Sequence, residues 1–251
     1  MSEYGALAAH YDMLNGEVPY IRLAKYLIRH FERHGLPVRT VLDLACGTGT
    51  VTWALADAGY EMIGIDSSPD MLSVCASKAA KHGGQAPLLL CQDMAELDLY
   101  GTVDAAVCTL DSANYVTDPR RLRRAFERVR LFLNPGGLFI FDVNTESKLA
   151  SRHGTSFVSE SADGNVFCAC RTEYSAGKRM ARYDISVFSR SPSGVYSRYD
   201  ERHTQRIYSA AELEEMLEGA GFGEVRAYGD MVMRPPKESE ERIFYRAVKT
   251  I

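Results

Sequence analysis

The chain has no Cys-x-x-Cys pair, no long apolar run, no excess of cations and no third glycine in its most prominent glycine-rich loop. Its six cysteines are Cys46, Cys75, Cys91, Cys108, Cys168 and Cys170, and none has the spacing of a zinc or thioredoxin-type motif. They read as reduced thiols serving as small hydrophobes, and no metal is expected. No apolar stretch approaches the roughly 20 residues that cross a bilayer. The opening Met1-Ser-Glu-Tyr-Gly5 lacks the basic and apolar regions of a secretory leader, so a cytoplasmic location without membrane contact is the expectation. A net charge of −4 and a pI near 5.9 supply no global electrostatic footprint for nucleic acid. Internal repeats and low-complexity segments are absent too.

What is present is an ordinary globular composition. With 251 residues, 46% hydrophobic and 25% charged, the chain suits one large domain or one domain with a small insertion. From residue 40 to 143 strand-like and helix-like segments alternate. Strands are expected over 41–45, 61–66, 87–91, 103–109 and 138–143. Helices are expected over 50–58, 69–82 and 119–133, the last stopped by Asn134-Pro-Gly-Gly137. This alternation predicts an α/β fold with a parallel, doubly wound, Rossmann-like sheet and right-handed crossovers.

The pattern changes after about residue 146. Segments 166–174, 180–190 and 195–206 are strand-like, separated by the turn signals Ser175-Ala-Gly-Lys178 and Ser191-Pro-Ser-Gly194. Period-two alternation over 181–188 predicts an antiparallel sheet with one covered face. About 50 residues bury little core alone, so residues 151–206 read as an insertion. The first pattern then returns. Ser209 and Glu212 form a capping box, a helix runs to about 218, and strands follow over 223–228 and 242–249.

The chemistry concentrates in Val41-Leu-Asp-Leu-Ala-Cys-Gly-Thr-Gly-Thr50, a strand that ends in a loop with glycines at Gly47 and Gly49. Glycine tolerates positive φ and lets a ligand approach the backbone. Open α/β sheets bind ligands just beyond the carboxyl ends of their strands. The dinucleotide fingerprint G-x-G-x-x-G fits poorly, because its third position falls on Thr52. Three aspartates follow in order instead: Asp43 in the first strand, Asp66 ending the second and Asp93 just after the third. A carboxylate at the second strand end can accept both ribose hydroxyls. One after the third can accept from an adenine amine.

On these residues the chain resembles the class I S-adenosylmethionine-dependent methyltransferases. The matching stretches are residues 41–50, Ile63-Gly-Ile-Asp66-Ser-Ser-Pro-Asp-Met71, Cys91-Gln-Asp93-Met94, Asn134-Pro-Gly-Gly137 and Gly219-Ala-Gly-Phe222. Within that family it is similar to small bacterial members that carry a β-rich insertion after the fifth strand. The shared features are Tyr11-Asp-Met-Leu14, Val18-Pro-Tyr20 and His203-x-x-Arg206-x-Tyr208-Ser209. The resemblance implies a seven-stranded sheet whose last strand is antiparallel. Residues 1–150 and 207–251 would form the cofactor domain, and 151–206 a small antiparallel β insertion covering the active site.

The resemblance also implies a role for each match, with S-adenosyl-L-methionine as cofactor. Ala45, Cys46, Gly47 and Gly49 would line its methionine part. Asp66 would hold the ribose. Ser67 and Met71 would border the adenine, and Asp93 with Met94 would read its edge. Leu110 would sit against the ribose or sulfonium side, and Tyr11 and Tyr20 would close the pocket. Tyr11 is also a candidate for stabilising the sulfonium during transfer.

The acceptor side carries fewer signals. Asp111, Asn114 and Tyr115 follow the fourth strand and Asn144 the fifth, where they would face the transferred methyl group. His203 or His153 could act as a base for a hydroxyl or ammonium nucleophile. Residues 111–115 lack the Asn-Pro-Pro-Tyr pattern of base-amine methylation, which argues against nucleic acid as acceptor. Arg120, Arg121, Arg123, Arg124, Arg128 and Arg130 form a basic cluster on a helix whose apolar face is Leu122, Phe126, Val129 and Leu133, so the arginines belong to the solvated side. The expectation is a monomeric or homodimeric enzyme that methylates a nitrogen or oxygen of a small molecule. The rivals are a nicotinamide oxidoreductase, a non-catalytic module that senses the cofactor or its demethylated product, and a methyltransferase acting on RNA or protein.

Overall fold

A computed structural model describes residues 7–83 and 85–250 of the chain. The stretch Met1–Gly5, read above for its lack of leader character, lies outside the described residues. Two short helical segments come first, α1 (Tyr11–Leu14) and α2 (Tyr20–Glu32). The alternating part follows as β1 (Thr40–Leu44), α3 (Thr50–Asp57), β2 (Glu61–Asp66), α4 (Pro69–Ser77), β3 (Leu88–Cys91), β4 (Val103–Cys108), α5 (Ser112–Tyr115), α6 (Pro119–Phe132) and β5 (Leu133–Asn144). After α7 (Glu146–Ser151) come four strands, β6 (Ser156–Glu160), β7 (Val166–Ser175), β8 (Met180–Arg190) and β9 (Tyr196–Arg206). The chain closes with α8 (Ala210–Gly219), β10 (Phe222–Tyr228) and β11 (Arg242–Lys249).

The main sheet has seven strands in the order β10-β11-β5-β4-β1-β2-β3. Strands β5, β4, β1, β2 and β3 are parallel, and β11 runs antiparallel to both β5 and β10. The other four strands form a separate antiparallel sheet, β6-β7-β8-β9. Among the described residues no helix is long and apolar enough to cross a membrane.

Period-two alternation divides the core between the two faces of the main sheet. Leu42, Leu44, Phe139 and Phe141 point to one face, where α6 supplies Leu122, Phe126 and Val129 and α8 supplies Leu213 and Leu217. Val41, Val107 and Ile140 point to the other, against Leu23, Leu27 and Phe31 of α2 and Trp53 and Leu55 of α3. Burying each such large side chain stabilises the fold by roughly 1.5–3 kcal/mol. The strand carboxyl ends therefore lie on a rigid edge that can hold a site.

Three boundaries differ from the sequence expectation. The helix expected to reach His82 ends at Ser77 and tightens into a 3-10 turn over Lys78–Lys81. The Asn134-Pro-Gly-Gly137 segment is no loop between helix and strand. Proline cannot continue a helix, and here the chain passes from α6 straight into extended backbone at Leu133. The unexpected α7, capped by the Thr145 hydroxyl, joins β5 to the second sheet.

Candidate active site

At the carboxyl end of β1 the chain makes a tight loop. Ala45, Gly47 and Gly49 all have positive φ, at 53°, 55° and 76°. Gly49 caps α3, and a Cβ there would stand 2.1 Å from Cys75 Sγ, so α4 packs directly on the loop. A Cβ on Gly47 would meet nothing within 4 Å, so that glycine faces open space. Asp66, at the end of β2, fixes the loop. Its Oδ2 accepts from Gly47 N at 2.8 Å and its Oδ1 from Ser68 N at 2.8 Å. Burial pushes the Asp66 carboxyl up, and those backbone donors oppose the shift. Beneath the loop Asp43 is 2% exposed and accepts from Thr52 Oγ1 at 2.6 Å.

A small cavity of about 40 Å³ lies over this loop. Ala45, Cys46, Gly47, Leu110, Tyr11 and Tyr20 contribute to its wall. Tyr11 comes from α1 and Tyr20 from the start of α2, so the N-terminal segment covers the pocket. Asp12 ties that cover down. Its Oδ1 accepts from Thr48 Oγ1 at 2.5 Å and Thr50 Oγ1 at 3.2 Å, and its Oδ2 pairs with Lys78 Nζ at 2.6 Å. The Tyr11 hydroxyl is held protonated by burial, reinforced by the neighbouring Tyr115, Tyr20 and Asp111. The buried Tyr20 hydroxyl has no partner among the described residues.

The side of the pocket after β3 is held from outside. Met71 is buried and Ser67 exposed, and neither these two nor Asp93 and Met94 line the small cavity over the loop. Asp93 caps a 3-10 turn over Met94–Glu96 through Ala95 N, and its Oδ2 pairs with Arg121 at 2.8 Å. Arg124 bonds Ala95 O and Glu96, and Arg128 bonds Leu97 O and Asp98. Half of the basic cluster of α6, Arg121, Arg124 and Arg128, is thus a ladder that clamps the segment after β3.

Beyond β4 and β5 lies a buried polar network. Leu110 and Asp111 both have positive φ, and both backbone N–H groups donate to the fully buried Asp142, at 2.7 and 2.9 Å. Arg242 of β11 bridges Asp111 Oδ1 at 2.7 Å and Asp142 Oδ2 at 2.9 Å. Gln205 of β9 donates to Asp111 Oδ2 and accepts from Asn144 Nδ2. Asn114 is fully buried. Its amide donates to Arg206 O and its Oδ1 accepts from Asn144 N. Lys148 of α7 donates to Asn144 Oδ1 at 2.6 Å. The second sheet is thereby stitched to the main-sheet edge at Gln205 and Arg206.

His203 is 1% exposed on β9, with Nε2 3.0 Å from Glu201 Oε2 and its ring edge-on to Tyr115. Glu201 also accepts from Leu7 N, which ties β9 to the N-terminal segment. His153 lies elsewhere. It is exposed beyond α7, and its Nδ1 accepts from Tyr174 N.

Comparison with known proteins decides what this edge belongs to. A family described as a methyltransferase domain matches residues 41–137. The Bacillus subtilis (strain 168) protein named "Putative methyltransferase YqeM" is 33% identical over 98% of this chain and 97% of its own length. The chain belongs to the class I S-adenosylmethionine-dependent methyltransferases. The crystal structure of an S-adenosylmethionine-dependent methyltransferase from Clostridium acetobutylicum ATCC 824 superposes with a TM-score of 0.86 at 29% identity, covering 99% of each chain. A glycine/sarcosine N-methyltransferase from Parasynechococcus marenigrum (strain WH8102) is 26% identical over 82% of this chain and 70% of its own length.

S-adenosylmethionine is therefore the cofactor of this methyltransferase, and the pocket's chemistry fits it. The cofactor carries no phosphate, so its seat needs backbone approach and a hydroxyl acceptor in place of an anion cradle. Gly47 leaves the approach open, and each Asp66 oxygen keeps a lone pair beyond its one backbone bond.

Sequence reasoning missed several methyltransferase residues around this edge. Asp12, Arg121, Asp142, Gln205 and Arg242 act through partners distant in the chain, and Lys148 through Asn144 four residues before it; the Tyr11–Leu14 stretch and the basic cluster contain Asp12 and Arg121 without naming their partners. A weak signal existed for Asp142, which interrupts an otherwise apolar strand pattern.

Proposed function

We propose that this methyltransferase transfers the methyl group of S-adenosylmethionine to a nitrogen or oxygen of a small-molecule acceptor. The observation that carries the reading is the seating of the second sheet. Gln205 and Arg206 of β9 bond Asp111 and Asn114, and Val166, Cys168 and Val187 of β7 and β8 pack on Leu7, Tyr11 and Leu14. A sheet held close to the strand ends favours a small acceptor over a duplex or a folded protein. The named acceptors of the glycine/sarcosine relative, itself an N-methyltransferase, point the same way.

On this reading residues 1–150 and 207–251 form the cofactor domain and 151–206 the insertion that covers the acceptor chamber. Ala45, Cys46, Gly47 and Gly49 line the methionine part through the backbone, and Asp66 takes the ribose. Ser67, Met71, Asp93 and Met94 border the adenine, with Leu110 on the sulfonium side. When bound, the sulfonium supplies a methyl group already activated for displacement. The chain's residues then contribute orientation, which in favourable cases lowers a barrier by roughly 7–11 kcal/mol, and exclusion of water. Tyr11, kept neutral by burial, presents a phenol to the cationic side. Tyr115 and His203 face the acceptor, with His203 as the candidate proton acceptor. Asp111, Asn114 and Asn144 position that wall through the network they share.

Incubation with methyl-labelled cofactor and fractionated cell extract tests the proposal. Label is expected in a low-molecular-weight product. Label confined to RNA or protein, or cofactor binding without transfer to any fraction, overturns it.

A further inference from the structure

Helix α2 carries Arg22, Lys25 and Arg29 at i, i+3 and i+7, all exposed. That spacing puts them on one face, spread over about 10 Å of helix axis. Among the described residues none of the three has an ion-pair partner, whereas Arg121, Arg124 and Arg128 of α6 each have one. The three cations line a groove of about 790 Å³ whose other walls include Pro19, Ile21 and Met231. That volume lies within the range of small-molecule sites.

Two tyrosine rings, Tyr20 and Tyr26, complete the groove. Both hydroxyl oxygens are buried and lack a hydrogen-bond partner among the described residues, and Tyr26 is 2% exposed.

We propose that this groove binds a nucleoside polyphosphate. Arginine forks and an ammonium spaced over about 10 Å match a di- or triphosphate. The apolar wall and the half-buried Tyr20 ring suit a base. A single helix face is too narrow for an extended RNA on a chain of net charge −4. Tyr20 and Thr50 line both this groove and the cofactor cavity, so the two ligands share a wall while occupying separate sites. Occupancy of the groove does not depend on which molecule accepts the methyl group.

Isothermal titration of the full chain with ADP, GDP, CDP, UDP and inorganic pyrophosphate, each with and without saturating S-adenosylhomocysteine, tests the site. At least one nucleoside diphosphate is expected to bind in the presence of S-adenosylhomocysteine, more tightly than pyrophosphate. The triple variant Arg22→Glu, Lys25→Glu, Arg29→Glu is expected to weaken that binding at least about tenfold, with Tm and S-adenosylhomocysteine affinity unchanged. The neutral variant Arg22→Gln, Lys25→Gln, Arg29→Gln keeps the test decisive should charge reversal disturb α2. Absence of nucleotide binding, displacement by S-adenosylhomocysteine, or wild-type binding by the variants overturns the proposal, as does binding of RNA alone.

Discussion

Thr52 Oγ1 donates a hydrogen bond to Asp43 Oδ2 at 2.6 Å, with both residues buried. Thr52 stands where a dinucleotide fingerprint has its third glycine, and here it supplies the partner of the carboxylate below the cofactor loop. Burial pushes the Asp43 carboxyl up to about 7, the Thr52 bond opposes that, and the Asp66 charge adds to it. An unfolded aspartate ionises near 3.8. The folded chain therefore keeps this proton between about pH 4 and 7 while the unfolded chain loses it, so Asp43 adds stability below about pH 4 that is lost as pH rises to about 7. Thermal denaturation across that window is expected to show wild-type Tm falling relative to Asp43→Asn as pH rises. A constant difference would sink the assignment. Thr52→Val, which leaves the carboxylate without its donor, is expected to cost about 1–3 kcal/mol at pH 8.

Arg242 holds the ends of β4 and β5 together by bridging Asp111 and Asp142. Removing one member of a buried ion-pair group leaves uncompensated charge, at a cost of about 3–5 kcal/mol. Arg242→Met is expected to lower unfolding stability by that amount in urea titration, and Asp142→Asn in the same chain to recover part of it. A loss under about 1 kcal/mol would mean that Arg242 is not what neutralises these carboxylates.

The parts of this molecule visible in the sequence are those that act over short range. Residues 41–50 announce a strand, a loop and a helix within ten positions. Asp66 and Asp93 are marked because one ends a strand and the other lies just past one. The α6 arginines read as a solvated face for the opposite reason: their partners Asp93, Glu96 and Asp98 lie about thirty residues earlier. Asn114 and Asn144 read as acceptor contacts, yet each spends its amide on the other or on β9. The bonds to β9 need closure of the second sheet onto the main edge, and no local periodicity encodes it. The same holds for Asp12, whose hydroxyl and ammonium partners come from the cofactor loop and the end of α4.

That clamp gives a third prediction. Asp12 joins α1 to Thr48, Thr50 and Lys78, so it stabilises the closed position of the segment that carries Tyr11. Asp12→Ala is expected to weaken cofactor affinity about two- to tenfold, the equivalent of one or two partly exposed hydrogen bonds, with little change in Tm. Calorimetric titration with S-adenosylhomocysteine measures it. Unaltered affinity would show that the clamp does not govern the pocket.

His203 packs against Tyr115 and lies beside Glu201 in a fully enclosed position. If it takes a proton from the acceptor, His203→Ala lowers turnover by about a hundredfold while cofactor affinity stays within twofold. Turnover at the wild-type rate in a folded His203→Ala chain removes it from the reaction.

The two loop glycines are expected to fail in different ways. Both have positive φ, which costs an alanine about 1–2 kcal/mol. At Gly49 the added methyl would also run into Cys75 Sγ at 2.1 Å, where α4 packs under the loop. Overpacking of that kind adds about 1–3 kcal/mol. At Gly47 the methyl would enter open space on the cofactor side. Gly49→Ala is therefore expected to lose markedly more Tm than Gly47→Ala. Gly47→Ala should stay folded and lose cofactor affinity if, as proposed, the methionine part lies against this glycine. Pairing each variant with Cys75→Ala separates the effects. That change should recover stability for Gly49→Ala and do nothing for Gly47→Ala, and equal rescue of both would show that Gly49 is not held against α4.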